Sequence, residues 1–352
     1  MKATRTLVAI ILGAVLVGFA GCDWFEDVNT APTIELRSAC PGTGQVLEGD
    51  NVTFAWLGTD FDGTVASYEW SYDGAAWVGT EADSAVIDSV TAGQHTFSVR
   101  ARDNSGALSA KSADCSFTVL PKGVERVALV ELFTTNKCQN CPKAEAALNT
   151  MLTEFGLDRL VVVAYHDKPS DAPNSDGLAT DETDARIGWY TADENYFPEQ
   201  WPIAVFDGLR PMAGAETADQ AAALYRFEIS SRLEVVSPIQ LTLTGQIGET
   251  SGNVAAGVKV AGRLPGDPLV LRFAVIENEV SYNGYFAKVF DFVTRDLLDD
   301  QTLTLAAYGD STHVEQDFAV QAGWVTDNMD VIAFVQDIST REVLQAARLK
   351  HE

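Results

Sequence analysis

Positive charge is what this chain has least of. Its 352 residues carry 24 Lys and Arg against 50 Asp and Glu, a formal net charge of −26, with a pI near 4.4. That balance argues against nucleic acid as a partner and against polybasic docking to a membrane; it gives a soluble, self-repelling surface. The acidic residues are spread along the chain, with no run long enough to form an acidic tail. Histidine is scarce: His95, His166, His313 and His351 lie far apart, and there is no second Cys-x-x-C, so a zinc site has no ligand set and no metal is expected. No Ser-His-Asp set, phosphate loop or carboxylate pair emerges for hydrolytic or nucleotide chemistry, and no cofactor is implied. Long repeats and low-complexity tracts are also missing.

The first residues read as a targeting segment. Lys2 and Arg5 form a charged n-region, and Leu7 to Phe19 an apolar h-region too short for a membrane span, which needs about 20 apolar residues. Phe19-Ala20-Gly21-Cys22 resembles a bacterial lipobox, with Phe where Leu is commoner. The expectation is a lipoprotein signal peptide over 1–21, a lipidated Cys22 anchoring the chain to a membrane, and a tether over 22–31. An ordinary secretory signal cut near Gly21 is the alternative, and both readings export the protein.

Five cysteines, Cys22, Cys40, Cys115, Cys138 and Cys141, are an odd count for an exported chain. Lipidation of Cys22 leaves four, which allow three pairings. The local pair, Cys138 with Cys141, leaves Cys40 with Cys115 as a structural staple worth ~2–4 kcal/mol.

The pattern divides into three parts, predicting a multidomain chain: an Ig-like β-sandwich, an α/β thioredoxin-like domain and a C-terminal β-sandwich. From 32 to 120, six or seven short alternating runs, such as Val52-Thr53-Phe54-Ala55-Trp56 and Thr96-Phe97-Ser98-Val99-Arg100, are separated by turns such as Asp62-Gly63 and Asp73-Gly74. The Y-x-W-S-x-D-G-x-x-W and G-x-H-T-F-x-V-R-A-x-D patterns here resemble bacterial fibronectin-type or Ig-like modules, which implies a spacer or partner-binding surface. Asp60, Asp62 and Asp103 could ligate Ca²⁺, but Asp-Gly pairs make tight turns without it. The α/β part spans 124–233 and the last β-rich part 236–352.

Chemistry concentrates in the middle part. An apolar run, Val127 to Phe133, leads into Cys138-Gln139-Asn140-Cys141, and an amphipathic segment runs on to Phe155. Strand, Cys-x-x-C, helix is how a thioredoxin-type redox site is built. Both sulfurs are expected on the first helical turn, where free N–H groups and the helix dipole favour thiolate. Cys138 is the expected nucleophile, with Lys137 adding positive charge, and Cys141 the resolving thiol; Pro142 is tolerable in a first turn. Pro202, after Trp201 and before an apolar strand, is expected to be cis and to face the disulfide. Leu132 stands where a buried acid would assist the resolving thiol, so Glu131 is the candidate substitute. His166 ends a strand on the same side and reads as a satisfied polar residue. Between His166 and Gln200 an insertion with a helix near Thr180–Tyr190 is expected to cover the site or select partners.

From Val127 onward the chain resembles a family of bacterial outer-membrane lipoproteins named after a twenty-eight-kilodalton surface antigen. Val130-Glu131-Leu132-Phe133-Thr134 with Cys138-Gln139-Asn140-Cys141-Pro142, Tyr165-His166-Asp167, Glu182 to Tyr190, Pro202 to Gly208, Phe292 to Asp296, Phe334 to Asp337 and Val343 to Ala346 carry the likeness. It implies a thioredoxin-like half, a β-rich half and a place in the cell envelope, at the outer membrane. The function expected is thiol–disulfide exchange with protein thiols and disulfides of the envelope. Two other readings stay open: a non-catalytic scaffold with an inert disulfide, and a copper carrier using Cys-x-x-C with His166.

Overall fold

The structure, a computed structural model, describes residues 28–42, 46–109, 113–168, 176–193, 196, 200–266 and 268–350. The expected signal peptide and Cys22 lie outside the described residues. The chain is mostly β-sheet with few helices. The N-terminal part contributes strands β1 (Thr33–Leu36), β2 (Val46–Leu47), β3 (Val52–Thr59), β4 (Val65–Tyr72), β5 (Val78–Thr80), β6 (Ser84–Ile87), β7 (Gly93–Asp103) and β8 (Ala113–Leu120). Alternation predicts six or seven strands here; the extra ones are pieces of two to four residues, too short for alternation to register.

The chain divides into two compact units. The first contains 28–38, Phe54–Ala85 and Phe97–Cys115 of the described residues. In it β1 pairs antiparallel with β3, from Thr33 opposite Thr59 to Leu36 opposite Trp56, and β4 pairs with β5 and β7. Its core is aromatic: Phe97 stacks on Phe54 with centroids 4.0 Å apart, and Trp56 and Trp70 close around the same ring at 6.0 Å each.

The second unit holds Ala39–Thr53, Val86–Thr96 and everything from Ser116 on. Its α/β part runs β9 (Ala128–Thr134), α1 (Cys141–Phe155), β10 (Leu160–His166), α2 (Asp181–Thr191), β11 (Ile203–Phe206), β12 (Arg210–Ala213) and α3 (Ala218–Leu233). The remainder is β13 (Ile239–Ile247), β14 (Ser251–Val260), β15 (Leu269–Glu277), β16 (Val280–Ser281), β17 (Val289–Phe290), β18 (Val293–Leu297), β19 (Gln301–Leu303), β20 (Ser311–Ala319), β21 (Met329–Asp337) and β22 (Val343–Lys350). β9 and β10 are parallel over seven residue pairs, and β11 returns antiparallel on the other side of β9. All seven residues of β9 and of β10 are buried, as strands covered on both faces must be. On one face lie Ala144, Ala147, Leu148 and Met151 of α1 with Ala221, Tyr225 and Ile229 of α3. On the other lie Ile187 and Tyr190 of α2.

The expected boundary near 233–236 does not divide the sheet. One nine-stranded sheet runs β12-β11-β9-β10-β18-β15-β21-β22, with β19 beside β15. The join is the parallel pairing of β10 with β18 at Ala164 opposite Val293, supported by the Thr294 hydroxyl donating to the Ala164 carbonyl at 2.9 Å. Burying β10's outer edge removes a row of unpaired backbone groups. The C-terminal part is therefore not a free-standing sandwich: its second sheet, β13-β14-β20, packs through Val254, Val258 and Phe318 onto Leu271, Phe273 and Val331 of strands belonging to the shared sheet.

Candidate functional site

At the end of β9 the chain turns, with the Cys138 N–H donating to the Thr135 carbonyl at 3.2 Å. Cys138 and Cys141 form a disulfide with Cα atoms 5.3 Å apart. Cys138 is half-buried and Cys141 only 2% exposed. The Cys141 N–H points at the Cys138 sulfur, 3.0 Å away. The motif predicts both sulfurs on the first turn of the helix; instead α1 begins at Cys141, and Cys138 lies in the turn that precedes it. The cause is local. Asn140 is the residue whose carbonyl takes the first helical bonds, from Lys143 at 3.0 Å and Ala144 at 3.4 Å. Its side chain does not cap the helix and accepts from Lys143 Nζ at 2.7 Å.

Pro202 is buried and the Trp201–Pro202 peptide is cis. Ile203 stands opposite Phe133, which puts Pro202 level with Thr134, at the end of β9 that leads into the disulfide turn. The Pro202 carbonyl accepts from Gly214 N at 2.7 Å.

Glu131 is not placed to serve the thiols. It alternates with Leu129 and Phe133, on the face that carries α2 rather than α1. Its carboxylate is occupied there by Arg186 Nε and Nη2 at 2.9 and 2.7 Å and by the Tyr190 hydroxyl at 2.5 Å. Gln336 adds an acceptor for Arg186 at 3.0 Å. Although burial opposes charge on Arg186, Glu131 and the neighbouring phenols hold its pKa up. A second ion cluster ties Asp207, after β11, to Arg126 at 3.1 Å and Arg232 at 2.8 Å, with Glu342 beside both arginines. Burial raises the Asp207 carboxyl despite the two guanidinium groups. In the fold Arg186, Gln336 and Asp207 tie neighbouring elements together.

His166, expected as a satisfied polar residue, is buried with Nδ1 2.8 Å from Asp176. Nε2 has no partner among the described residues. Asp176 also accepts from the Asn136 N–H at 2.7 Å, Asn136 Nδ2 at 3.0 Å and the Leu178 N–H at 3.0 Å. Burial pushes the Asp176 carboxyl up, but the His166 hydrogen bond and charge and the backbone donors outweigh it and hold it low. The pair thereby fastens the chain two residues before Cys138. Asn136 also accepts from the Tyr285 N–H at 3.2 Å, bringing the exposed side chains of Tyr285 and Phe286 to the same loop.

Glu145 is not among the residues the sequence reading singles out, although an acid four residues after Cys141 on a helix is a readable signal. Its Oε1 accepts the Asp291 N–H at 2.9 Å. Burial raises its carboxyl to about 8; the Asp291 N–H pulls it down and the Asp291 charge pushes it up. Asp176 and Asn136 have no such signal, because only the fold brings them to the disulfide turn.

Elsewhere, Cys40 and Cys115 are both disulfide-bonded. Asp62 holds the segment before β1, accepting from Thr30 N at 2.7 Å, and Asp103 spends its carboxylate on its own turn, accepting from Ser105 N and Ala107 N at 2.9 and 2.8 Å. No group of His, Cys, Asp and Glu among the described residues is arranged to hold a metal ion. None of the described helices is long and apolar enough to cross a membrane.

No protein-family model matches the chain, and no curated protein matches it. Among solved structures the fold is similar to HBP35 of Porphyromonas gingivalis, with a TM-score of 0.52 and 18% identity over 65% of this chain and 76% of that one. A structural-genomics protein of Agrobacterium tumefaciens matches at TM-score 0.45 and 18% identity, over 66% and 96%. A domain of the outer-membrane lipoprotein Omp28 of Porphyromonas gingivalis matches at TM-score 0.24 and 16% identity, over 34% and 91%.

Proposed function

We propose that this chain is an envelope lipoprotein whose thioredoxin-like part exchanges thiols and disulfides through Cys138 and Cys141. The observation that carries the reading is the arrangement of one sheet end. Strands in the order β12-β11-β9-β10 with α1 after β9 and α3 after β12 form a β-α-β-α-β-β-α unit, and the disulfide and Pro202 share the same end of β9. Sequence order, strand direction and site position all agree with a thioredoxin-like arrangement.

The chemistry fits this assignment. Cys138 is the more accessible sulfur and receives the first N–H of α1, an arrangement that stabilises a thiolate there. Cys141, buried behind it, is placed to resolve a mixed disulfide. Exposed Tyr285 and Phe286 beside the turn offer contact area to a protein partner. Cys40 and Cys115 pair as a structural staple, Cys22 carries the lipid, and the outer membrane is the proposed site.

The test is the reduction potential of Cys138–Cys141 in the mature chain, by thiol trapping in glutathione and dithiothreitol buffers with Cys138→Ala as control. A value between about −270 and −120 mV supports exchange, whereas a bond resistant below about −300 mV makes it a staple and the chain a scaffold.

A further inference from the structure

We propose that Glu145 is the proton acceptor for the Cys141 thiol when that cysteine resolves a mixed disulfide on Cys138. The proposal rests on the exchange reading above and names the base that reading lacks. Cys141 is 2% exposed, so bulk water and buffer reach its thiol poorly and a group within the fold must take the proton. Glu131 is committed to Arg186 and Tyr190 on the α2 face. Asp176 is filled by His166, Asn136 and Leu178.

Glu145 stands four residues after Cys141 on α1, the spacing that stacks two side chains on one face with Cβ atoms roughly 5–6 Å apart. Helical side chains lean toward the N-terminus, the end of α1 at which the disulfide lies. The Asp291 N–H anchors one oxygen. Asp291 is itself fixed by Asn149 Nδ2 at 2.7 Å and by the Glu279 N–H at 2.9 Å. Asp291 and Asn149 also line a cavity of about 610 Å³. Two nearby cations are engaged elsewhere: Lys143 with Asn140 and the Glu216 carbonyl, and Arg226 of α3 with Glu154. A carboxyl held at about 8 by burial both accepts and returns a proton near neutral pH.

The step balances with a protein disulfide as oxidant. The Cys138 thiolate attacks one sulfur of the partner's disulfide; that bond breaks, and the departing thiolate takes a proton from water. The Cys141 S–H proton passes to Glu145, and the Cys141 thiolate attacks Cys138 Sγ. The Cys138–partner bond breaks, the second partner thiolate leaves, and Glu145 gives its proton up to it or to solvent. Two electrons have moved from the cysteines to the partner.

The test uses the reduced full chain and glutathione disulfide, with acid quenching and mass spectrometry to follow the Cys138–glutathione adduct across pH. Glu145→Gln should form the adduct at the normal rate and resolve it roughly 10²-fold more slowly. It should also lose the rise in resolution rate through about pH 8, while Glu145→Asp recovers part of both. Resolution at the wild-type rate with the wild-type pH profile overturns the proposal. Asp291→Asn gives an independent reading that keeps the base: it removes a neighbouring charge and should move the midpoint of the profile to lower pH. An unmoved midpoint also overturns the proposal. If the wild-type chain forms no adduct, the exchange reading falls and takes this inference with it.

Discussion

Arg186 reaches from α2 to Glu131 on the face of β9 that α2 covers, setting two nitrogens on a single carboxylate oxygen at 2.9 and 2.7 Å. Neither side chain meets solvent to any extent, with 4% and 0% exposure. A pair so buried is costly to assemble and more costly to break. Arg186→Met should destabilise the chain by about 3–5 kcal/mol, because it strands a carboxylate in the core. Adding Glu131→Gln should return most of that loss. Urea unfolding of the single and double variants measures both; a double variant as unstable as the single one would show that shape, not charge, governs the site.

Glu145 predicts an unusual pH dependence. Its folded carboxyl sits at about 8 against an ordinary value of 4.5, so the folded chain holds a proton that the unfolded chain has released. Stability from this group is therefore full below about 4.5 and declines as pH rises to about 8. Glu145→Gln should flatten that slope in denaturation curves taken across the range, and an unchanged slope would assign it elsewhere.

Asp176 works in the opposite sense. Its folded carboxyl is held below the ordinary 3.8, so its contribution is full above about 3.8 and disappears as pH falls through the lowered folded value. Asp176→Asn should weaken the acid limb of the stability profile. Because the same carboxylate holds Asn136, it should also increase amide exchange in the turn leading to Cys138. Amide exchange identical to wild type would mean that the turn does not depend on this anchor.

Cys141→Ser should trap what the wild type clears. With the outer sulfur left to react, the variant should accumulate a stable mixed disulfide with envelope proteins on Cys138, visible on non-reducing gels and absent from Cys138→Ala. No such species in an oxidising envelope would speak for the scaffold reading.

The join between β10 and β18 can be tested with a small change. Thr294→Val keeps the shape and removes the hydroxyl that donates to Ala164, at a cost of about 0.5–1.5 kcal/mol for one hydrogen bond, the Ala164 carbonyl keeping its ladder partner on β18. Thermal unfolding should show one transition at a lower temperature. A split into two transitions would mean that the two parts of the sheet melt separately.

Strong apolar runs make much of this fold readable. Leu160 to Tyr165 marks β10 to within one residue, and Thr180 and Thr217 stand as caps at the starts of α2 and α3. The direction in which Glu131 points is not readable, because β9 is buried on both faces and its pattern has no polar side to orient it. The continuity of the sheet is hidden for a different reason. It rests on Ala164 meeting Val293, two apolar residues more than a hundred positions apart, and nothing in either segment names its partner. The helix starts at the second cysteine rather than the first, since Cys-x-x-C fixes a spacing but not which residue first joins the hydrogen-bond ladder. Glu145 is legible from its spacing to Cys141; its perturbed environment requires the 291 segment, which only the fold supplies.

The shared sheet bears on how such a gene can be rearranged. A crossover between the codons for 233 and 236 falls at a natural-looking seam in the sequence, yet both products would inherit half of a β-ladder. One would carry β10 with a bare edge, and the other would carry β18 paired with β15 on one side and bare on the other. Residues 124–350 are thus expected to pass between lineages as one heritable block, the Cys-x-x-C segment together with its β-rich companion.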